Sequence, residues 1–261
     1  MKMPVLFVSH GAPTLSLEPG ETGAAWQQLG ARLPKPSAIL VISAHWETLI
    51  PTVSCTAKPE TIHDFSGFPE ELYKLKYPAS GAPQMAKAVA LALQQTDIPM
   101  QLDDTRGLDH GAWVPLSFLY PNADIPVAQL SIQPDKDPVW HIALGRALRT
   151  LRQQGVLIIG SGSISHNLHA IFKHPQGEPA PEWVAEFCDW VAAKIKAGDL
   201  EALSAYRTLA PHAVQNHPTD EHLLPLFVAL GAADKIDSAV HFNRVMTYGM
   251  LAMDAWLFDP V

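Results

Sequence analysis

The sequence predicts a single-domain, three-layer αβα fold with a largely parallel or mixed central sheet. Short aliphatic runs alternate with longer segments of helical spacing, and this order is typical of an α/β protein. The 261 residues are 48% hydrophobic and 17% charged, which excludes a disordered or fibrous chain. Because no repeat, charge block or low-complexity linker divides the chain, we expect one domain over residues 1–261.

The predicted elements follow from run length and spacing. Runs of β-branched and aliphatic residues that are too short for core helices predict buried strands. They cover residues 5–9, 38–43, 52–56, 126–132 and 156–160. Segments with helical spacing and few breakers cover residues 21–33, 82–95, 139–153 and 182–196. Asp137 and Pro138 form a cap and first-turn proline for the third of these helices, and Gly155 ends it. A proline-containing stretch at 175–181 is expected to be a loop.

Charge and cysteine content exclude several classes of protein. Lys and Arg total 18 against 26 Asp and Glu, a formal net charge of -8, which argues against a nucleic-acid partner. Cys55 and Cys188 are too few for a disulfide framework or a four-thiolate zinc site. No segment has the length and composition of a signal peptide or a membrane span, so we expect a cytoplasmic protein without membrane contact.

The notable feature of the composition is its twelve histidines. His10, His45 and His166 each follow a predicted strand through a turn of small residues. Ligands bind outside the carboxyl ends of parallel strands, so these imidazoles are expected to converge on one crevice. A lone histidine at a strand end is more often a hydrogen-bonded surface or cap residue. Three in equivalent positions favour a metal site, since imidazole is a ligand for both zinc and ferrous iron.

A fourth candidate ligand, His222, opens an apolar helical run in the segment PTDEHLLPLFVALGA. Glu221 is a competing ligand at the same place. The alternative for Glu221 is a first-turn acid stabilised by the helix dipole, which we favour.

Two further histidines lie in segments that suggest a substrate pocket. His110 follows Asp109, which is expected to orient its ring and leave the other nitrogen free for proton transfer. His63 lies in a loop with Phe65 and Phe68, and a capped loop histidine is an equally good interpretation. Four aromatic residues are predicted to form an apolar wall for an aromatic ring: Trp46, Phe65, Phe68 and Trp113. Core packing is the alternative interpretation for at least two of them. The remaining histidines are interpreted as structural: His141, His169, His174, His212, His217 and His241.

The ordered motifs SHGAP, ISAHW, TIHDFSGFP, LDHGAW, SGSISHNL and TDEHLLPL resemble those of the class III extradiol ring-cleaving dioxygenases. The similarity is greatest to the branch of bacterial and plant 4,5-DOPA dioxygenases. It extends from residue 8 to about residue 226, nearly the whole chain.

The resemblance implies a role for each matched residue. His10, His45 and His222 match metal ligands, and His166 matches a histidine that acts as base toward the substrate or as a fourth ligand. His110 matches a residue on the substrate side. The motif around His63, together with Trp46, implies substrate contact. Many class members have a carboxylate as third ligand, whereas His222 stands at that position here.

The resemblance also implies the cofactor and the reaction. One divalent metal is expected, Fe(II) for ring cleavage and Zn(II) in a resting or crystallised form, with dioxygen as co-substrate. The enzyme is expected to open the ring of DOPA or a related small catechol to a semialdehyde. A zinc hydrolase that uses the same histidines, with His110 or His166 as proton shuttle, and a non-catalytic binding relative are the alternatives.

Overall fold

The computed structural model of the protein describes residues 2–174 and 178–261, so part of the predicted loop at 175–181 lies outside the described residues. Its strands are β1 Val5–Ser9, β2 Ala38–Glu47, β3 Thr52–Ser54, β4 Gln101–Asp103, β5 Val127–Ile132, β6 Val156–Gly162, β7 Ser238–Asn243, β8 Met246–Thr247, β9 Leu251–Ala252 and β10 Ala255–Asp259. Its α-helices are α1 Gly20–Arg32, α2 Pro83–Gln94, α3 His110–Leu119, α4 Pro138–Leu148, α5 Leu168–Ile171, α6 Glu182–Ala197, α7 Leu200–Ser204, α8 Tyr206–Leu209, α9 Ala213–Asn216 and α10 Leu224–Ala232. Short 3-10 helices cover Pro13–Ser16, Leu72–Lys74 and Arg149–Gln154.

Over the described residues, eight strands form one mixed sheet in the order β4-β3-β5-β2-β6-β1-β10-β7. The central strands β5, β2, β6 and β1 are mutually parallel. Strand β10 pairs antiparallel with β1 and with β7, and β3 pairs antiparallel with β5. Strands β8 and β9 form a separate antiparallel pair. The carboxyl ends of β1, β2 and β6 therefore lie side by side at one edge of the sheet.

Helices cover both faces of this sheet. On one face Leu6 and Ile39 of the sheet pack with Trp26 of α1 and Trp113 of α3. On the other face the core contains residues of α2, α4, α6 and α10, packed on alternate strand residues such as Leu40. The predicted three-layer αβα class with a mixed sheet is confirmed.

Two predicted elements differ from the observed ones. Strand β2 continues to Glu47, so His45 lies within the strand instead of in a following turn. The helix predicted over 139–153 begins at Pro138 on the Asp137 cap, but it becomes a 3-10 helix at Arg149. Gly155 ends that segment with a φ of 81°, in the left-handed region that favours glycine.

Candidate metal centre

The candidate site lies where the central parallel strands end. His10 follows β1 directly, His45 is near the end of β2, and His222 lies in the turn before α10. This is the edge at which open α/β sheets bind ligands. The structure therefore brings together the three histidines that the sequence predicts as metal ligands.

Glycines in β6 allow the turn that carries His222 to reach the sheet. A Cβ at Gly162 would overlap the carbonyl oxygen of His222, and one at Gly160 would overlap that of Pro225. Directly after the strand, the backbone N–H of Ser163 donates to the His222 carbonyl at 2.8 Å. Because Gly160 and Gly162 have no side chains, the turn that carries His222 can pack closely against β6.

The three imidazoles form a compact donor set. Their candidate ligand atoms all lie within 4.8 Å of one another. The Nε2 atoms of His10 and His45 are 3.0 Å apart. Adjacent nitrogen ligands on one metal, at about 2.1 Å from it, are separated by roughly 3.0–3.4 Å. The residues present therefore fit a divalent metal ion.

Hydrogen bonds at the outer nitrogens orient two of these rings. His10 Nδ1 lies 3.0 Å from Ser161 Oγ, and the Ser161 hydroxyl in turn donates to the carbonyl of Gly111. His222 Nδ1 lies 3.0 Å from a carboxylate oxygen of Glu221. With Nδ1–H donating outward, each Nε2 presents its lone pair to the centre of the site. The position of Glu221 thus favours an orienting partner over the competing ligand considered from the sequence.

Burial keeps these imidazoles neutral. Desolvation, followed by the neighbouring histidines, lowers the pKa of His10 and His222 well below the ordinary value. Burial also lowers the pKa of His45 and of His166 to about 4, although nearby carboxylates act in the opposite direction. Neutral nitrogens are the form that binds a metal, so the site is ready for one near neutral pH.

His166 lies against His222 in a parallel stack. The ring centroids are 3.4 Å apart and the planes differ by 9°. The lone pairs of the two stacked rings lie in nearly parallel planes, so they do not converge on one point. His166 forms a possible donor group with Glu221 and His222, and of these only His222 also belongs to the group with His10 and His45. This arrangement favours a proton-transfer role for His166 over a fourth ligand.

The ring of His110 is held by Asp64, a residue that the sequence analysis did not select. One Asp64 oxygen accepts from the His110 backbone N–H at 3.0 Å, and the other lies 3.0 Å from His110 Nδ1. The Asp64 oxygen that lies near His110 Nδ1 is also 3.6 Å from His45 Nδ1. Burial alone would raise the pKa of Asp64, but the hydrogen bonds and charge of His110 lower it to about 2. Asp64 is thus a carboxylate that faces both a proposed ligand and a proposed proton-transfer group.

The expectation that Asp109 orients the His110 ring is wrong. Asp109 is fully buried and caps α3, where it accepts from the backbone N–H of Ala112 at 3.2 Å. Its oxygens also accept from Ser43 at 2.7 Å, Gln129 at 2.7 Å and Arg106 at 2.9 Å. Because residues adjacent in sequence point in different directions at a helix start, Asp109 fixes α3 to the sheet while Asp64 reaches the ring.

A cavity of about 660 Å³ opens above the histidines. His10, His45, His110, His166 and His222 all line it. Apolar and small residues supply most of the remaining surface: Gly11, Ala12, Pro13, Phe65, Phe68, Ser163, Leu168, Ile171, Phe172, His174, Tyr248 and Leu251. Phe65 and Phe68 of this group were predicted from the sequence. Gly11, Ala12 and Pro13 directly follow His10, whereas the other residues lie in loops, the short helix α5 and strand β9, where no periodic signal marks a pocket.

His63 and Trp46 are not among the described residues that line this cavity. His63 Nε2 lies 3.0 Å from the carbonyl of Leu75, and its ring packs edge-on against Phe65 with centroids 5.8 Å apart. Trp46 is 6% exposed and lies under the guanidinium of Arg106. Trp113 is also buried, which agrees with the core-packing alternative for two of the four aromatic residues. Substrate contact by His63 and Trp46 stays a prediction.

The six histidines interpreted as structural occupy varied environments. His217 and His141 are fully buried and form hydrogen bonds with backbone groups. His241 lies 2.7 Å from Asp254, and His212 lies 2.7 Å from Glu186. His169 is exposed. His174 lines the outer part of the cavity, which the sequence did not indicate.

Comparison with known proteins identifies a family, curated relatives and a solved structure that this chain resembles over nearly its full length. Residues 4–256 match the family described as the catalytic LigB subunit of aromatic ring-opening dioxygenase. A protein of Mirabilis jalapa named 4,5-DOPA dioxygenase extradiol is 43% identical, with 97% of this chain and 96% of that protein covered. A protein of the same name from Escherichia coli K12 is 42% identical over 89% of this chain and 86% of its own length. The crystal structure of an uncharacterized Escherichia coli K12 protein superposes with a TM-score of 0.83 at 34% identity, covering 98% of this chain and 100% of that one.

The chain therefore belongs to the LigB family of metal-dependent aromatic ring-opening dioxygenases, the extradiol enzymes that open catechol rings. Among the helices that the structure describes, none has the length and hydropathy to cross a membrane.

Proposed function

We propose that this protein opens the ring of a small catechol of the DOPA type by extradiol cleavage, with Fe(II) bound by His10, His45 and His222. The observation that carries the proposal is the set of three inward-facing imidazoles, with ligand atoms within 4.8 Å, at the base of a cavity large enough for an aromatic substrate. The names of the relatives in Mirabilis jalapa and Beta vulgaris support DOPA as a first substrate to test.

Ferrous iron, when bound, supplies the electron transfer between catechol and dioxygen that redox-inert zinc cannot supply. His10, His45 and His222 would hold the metal as neutral ligands, so its positive charge would favour an ionised catechol bound beside them.

His166 is the proposed base for a catechol hydroxyl. Its ring lines the cavity and stacks on His222, so a substrate oxygen at the metal would be close to it. Burial lowers the pKa of His166 to about 4, so the ring is neutral near pH 7 and has a lone pair to accept a proton.

His110 is the proposed partner on the other side of the substrate. Its ring lies against that of His45, with centroids 3.9 Å apart. Because the Asp64 carboxylate accepts from Nδ1–H, Nε2 is the ring nitrogen left to exchange a proton with the substrate. The same carboxylate would stabilise the ring while it holds that proton. His110 can therefore hold a proton and return it as the ring opens.

Phe65 and Phe68 complete the proposed reaction site. They pack edge to face, with centroids 5.4 Å apart, beside His110. Aromatic rings in this position can hold the catechol ring in place and exclude water, which strengthens the hydrogen bonds of the histidines.

The test is anaerobic loading of the protein with Fe(II), followed by oxygen uptake with L-DOPA, protocatechuate and simple catechols. We expect oxygen consumption together with a yellow ring-opened product. A matched sample loaded with Zn(II) is expected to consume none. No oxygen consumption with any catechol at full iron occupancy would refute the proposal, and hydrolysis of an ester or amide by the zinc form alone would support the hydrolase alternative.

A further inference from the structure

A second cavity, of about 250 Å³, adjoins the one above the histidines. Ala12 and Tyr248 line both cavities, so the two meet at these residues. Ala12 is two residues after the proposed ligand His10, and two trans peptide bonds keep its Cα within about 7.6 Å of the His10 Cα. A short substituent on a catechol bound at the metal can therefore extend toward the place where the cavities meet.

The second cavity has a negative fixed charge. Among the described residues that line either cavity, Glu18 is the only Asp, Glu, Lys or Arg. The Glu18 backbone N–H donates to the Thr14 carbonyl at 2.9 Å, which keeps these two residues side by side. Residues 175–177 are Pro, Gln and Gly, and carry no charge. The charge at this end of the site therefore favours a cation over an anion.

Two hydroxyl groups lie at the same place. The Tyr248 hydroxyl is 2.9 Å from Thr14 Oγ1, and Thr14 lines the second cavity with Glu18. One hydrogen bond between two hydroxyls uses a single lone pair, so each oxygen still has a lone pair with which to accept. An ammonium group has three donors and no acceptor. A carboxylate with two hydroxyl oxygens is thus a suitable acceptor set for it. We define the amine subsite as Thr14, Glu18 and Tyr248.

The backbone of Tyr248 is in an unfavourable conformation. Its φ is 51°, and Gly249 follows with a φ of 67°. The Met250 N–H donates to the Thr247 carbonyl at 3.1 Å and closes the turn between β8 and β9. Turns with two positive φ values favour Asn, Asp or Gly, and a bulky side chain there is rare. Because the turn itself disfavours a tyrosine, the outlier points to a role for this side chain at the cavities.

We propose that the amine subsite binds the ammonium group of a substituent on the catechol ring, so that an amine-bearing catechol is a better substrate than a catechol carboxylate. The inference rests on the ring-opening function proposed above and names the group of a DOPA-type substrate that is recognised. A cation gains charge-assisted hydrogen bonds in this subsite, whereas an anion meets the like charge of Glu18. Since Glu18 is exposed to water, the effect is moderate in size.

The first experiment compares three catechols that differ only at the end of a short substituent: dopamine, uncharged 4-ethylcatechol and 3,4-dihydroxyphenylpropionate. We expect kcat/KM of the Fe(II)-loaded protein for dopamine to exceed both other values by at least about threefold, mainly through KM. L-DOPA, which has both charges, should exceed the propionate. A value for dopamine that does not exceed both others would overturn this inference and leave ring opening itself supported. Failure to open any of these catechols would instead refute the proposed function.

The second experiment removes the negative charge. Glu18→Gln should lower kcat/KM for dopamine and for L-DOPA about three- to tenfold, leave 4-ethylcatechol unchanged and raise the value for the propionate. Opposite changes for a cation and an anion cannot come from a general loss of stability. Glu21→Gln is the matched control, because Glu21 is exposed and lines neither cavity. Equal changes for all substrates, or none for dopamine, would mean that Glu18 does not face the substituent.

The third experiment tests the Tyr248 hydroxyl. Tyr248→Phe removes the oxygen but keeps the ring and the same backbone conformation. We expect kcat/KM for dopamine to fall about two- to fivefold relative to that for 4-ethylcatechol, because only the amine uses the hydroxyl as an acceptor. An equal loss with both substrates would show that the hydroxyl only fixes the turn to Thr14, and would overturn the role given to Tyr248.

Discussion

At the scale of single residues, the proposed ligands and the proposed proton-transfer groups differ in what their removal should do. His45 Nε2 faces His10 Nε2 at 3.0 Å, whereas His110 makes its polar contact with Asp64. We expect His45→Ala to weaken metal binding by at least about a hundredfold, and His110→Ala to keep the metal and lose turnover. Metal competition titration and steady-state kinetics on the same preparations check both. The site assignment is contradicted if both variants bind metal and turn over normally.

Asp64 should act through His110. An Asn side chain can donate to Nδ1 and so stabilise the ring tautomer whose Nε2 cannot accept a proton, as in hydrolases whose orienting Asp is replaced. We predict that Asp64→Asn lowers kcat about 10- to 100-fold with a smaller change in KM, and alters the pH profile of kcat.

A double-mutant cycle gives the control for this prediction. In the His110→Ala background, Asp64→Asn should have little further effect on kcat, because the ring that it orients is gone. Asp135→Asn, on an exposed carboxylate, serves as the matched variant. Fully additive losses in the cycle would mean that Asp64 acts elsewhere, for example through His45.

The same residues show where sequence reasoning succeeds and fails. His10, His45 and His166 were recognisable because each lies at or shortly after the end of a run of strand residues, and strand ends converge at one edge of a parallel sheet. Asp64 was not recognisable, since it approaches His110 from a loop 46 residues earlier in the chain. Asp109 was the natural choice by adjacency, but its side chain is committed to the α3 cap.

At the scale of secondary-structure elements, the close packing of the turn before α10 against β6 determines the position of His222 in the site. A Cβ at Gly162 would overlap the His222 carbonyl. We predict that Gly162→Ala displaces the turn and weakens metal binding at least about tenfold, together with a loss of stability of roughly 1–3 kcal/mol. Isothermal metal titration and denaturant unfolding measure the two effects.

Gly198→Ala provides the comparison. Gly198 has a φ of 65° at the end of α6, and a Cβ there would meet nothing within 4 Å. This variant should lose about 1 kcal/mol of stability through backbone strain and keep its metal affinity. Equal metal affinity in both variants would mean that Gly162 does not determine the position of His222 in the site.

Elements with strong local signals were predicted well, and the others were not. Buried parallel strands such as β1 and β5 are short segments rich in apolar residues, and their bounds are within a residue or two of the prediction. The strands β4, β8 and β9 are two or three residues long and are defined by tertiary pairing, which leaves no period in the sequence. Several residues that line the cavity lie in such weakly patterned segments, including Leu168 and Ile171 of α5 and Leu251 of β9.

At the scale of the whole molecule, buried neutral histidines should make stability depend on pH. Burial lowers the pKa of His141 and His217 to about 4, from an ordinary value of 6.5. The unfolded chain therefore binds protons that the folded protein does not, between pH 6.5 and about 4. The contribution is fully present above pH 6.5 and is lost as the pH falls through this window.

His141→Gln tests this dependence away from the proposed metal site. His141 Nδ1 lies 2.9 Å from the carbonyl of Asp137, and its Nε2 accepts from the Gln133 backbone at 3.4 Å, so a proton on Nε2 has no acceptor there. Between pH 6.5 and 4, the free energy of unfolding should fall in both proteins. The fall should be smaller in the variant than in wild type, by up to about 3 kcal/mol. Urea unfolding at several pH values measures the slopes. Parallel stability curves would show that His141 protonates in the folded protein without penalty.

We propose that the protein uses three histidines and a metal to insert both atoms of dioxygen into a catechol. Mass spectrometry of the product formed by the Fe(II)-loaded protein, in the presence of an accepted catechol and dioxygen, tests this reaction. We predict a product whose mass equals that of the catechol plus one dioxygen molecule, with a carboxylate and an aldehyde where the ring has opened. A substrate of unchanged mass, or a product that has gained only one oxygen atom or a water molecule, would contradict the account.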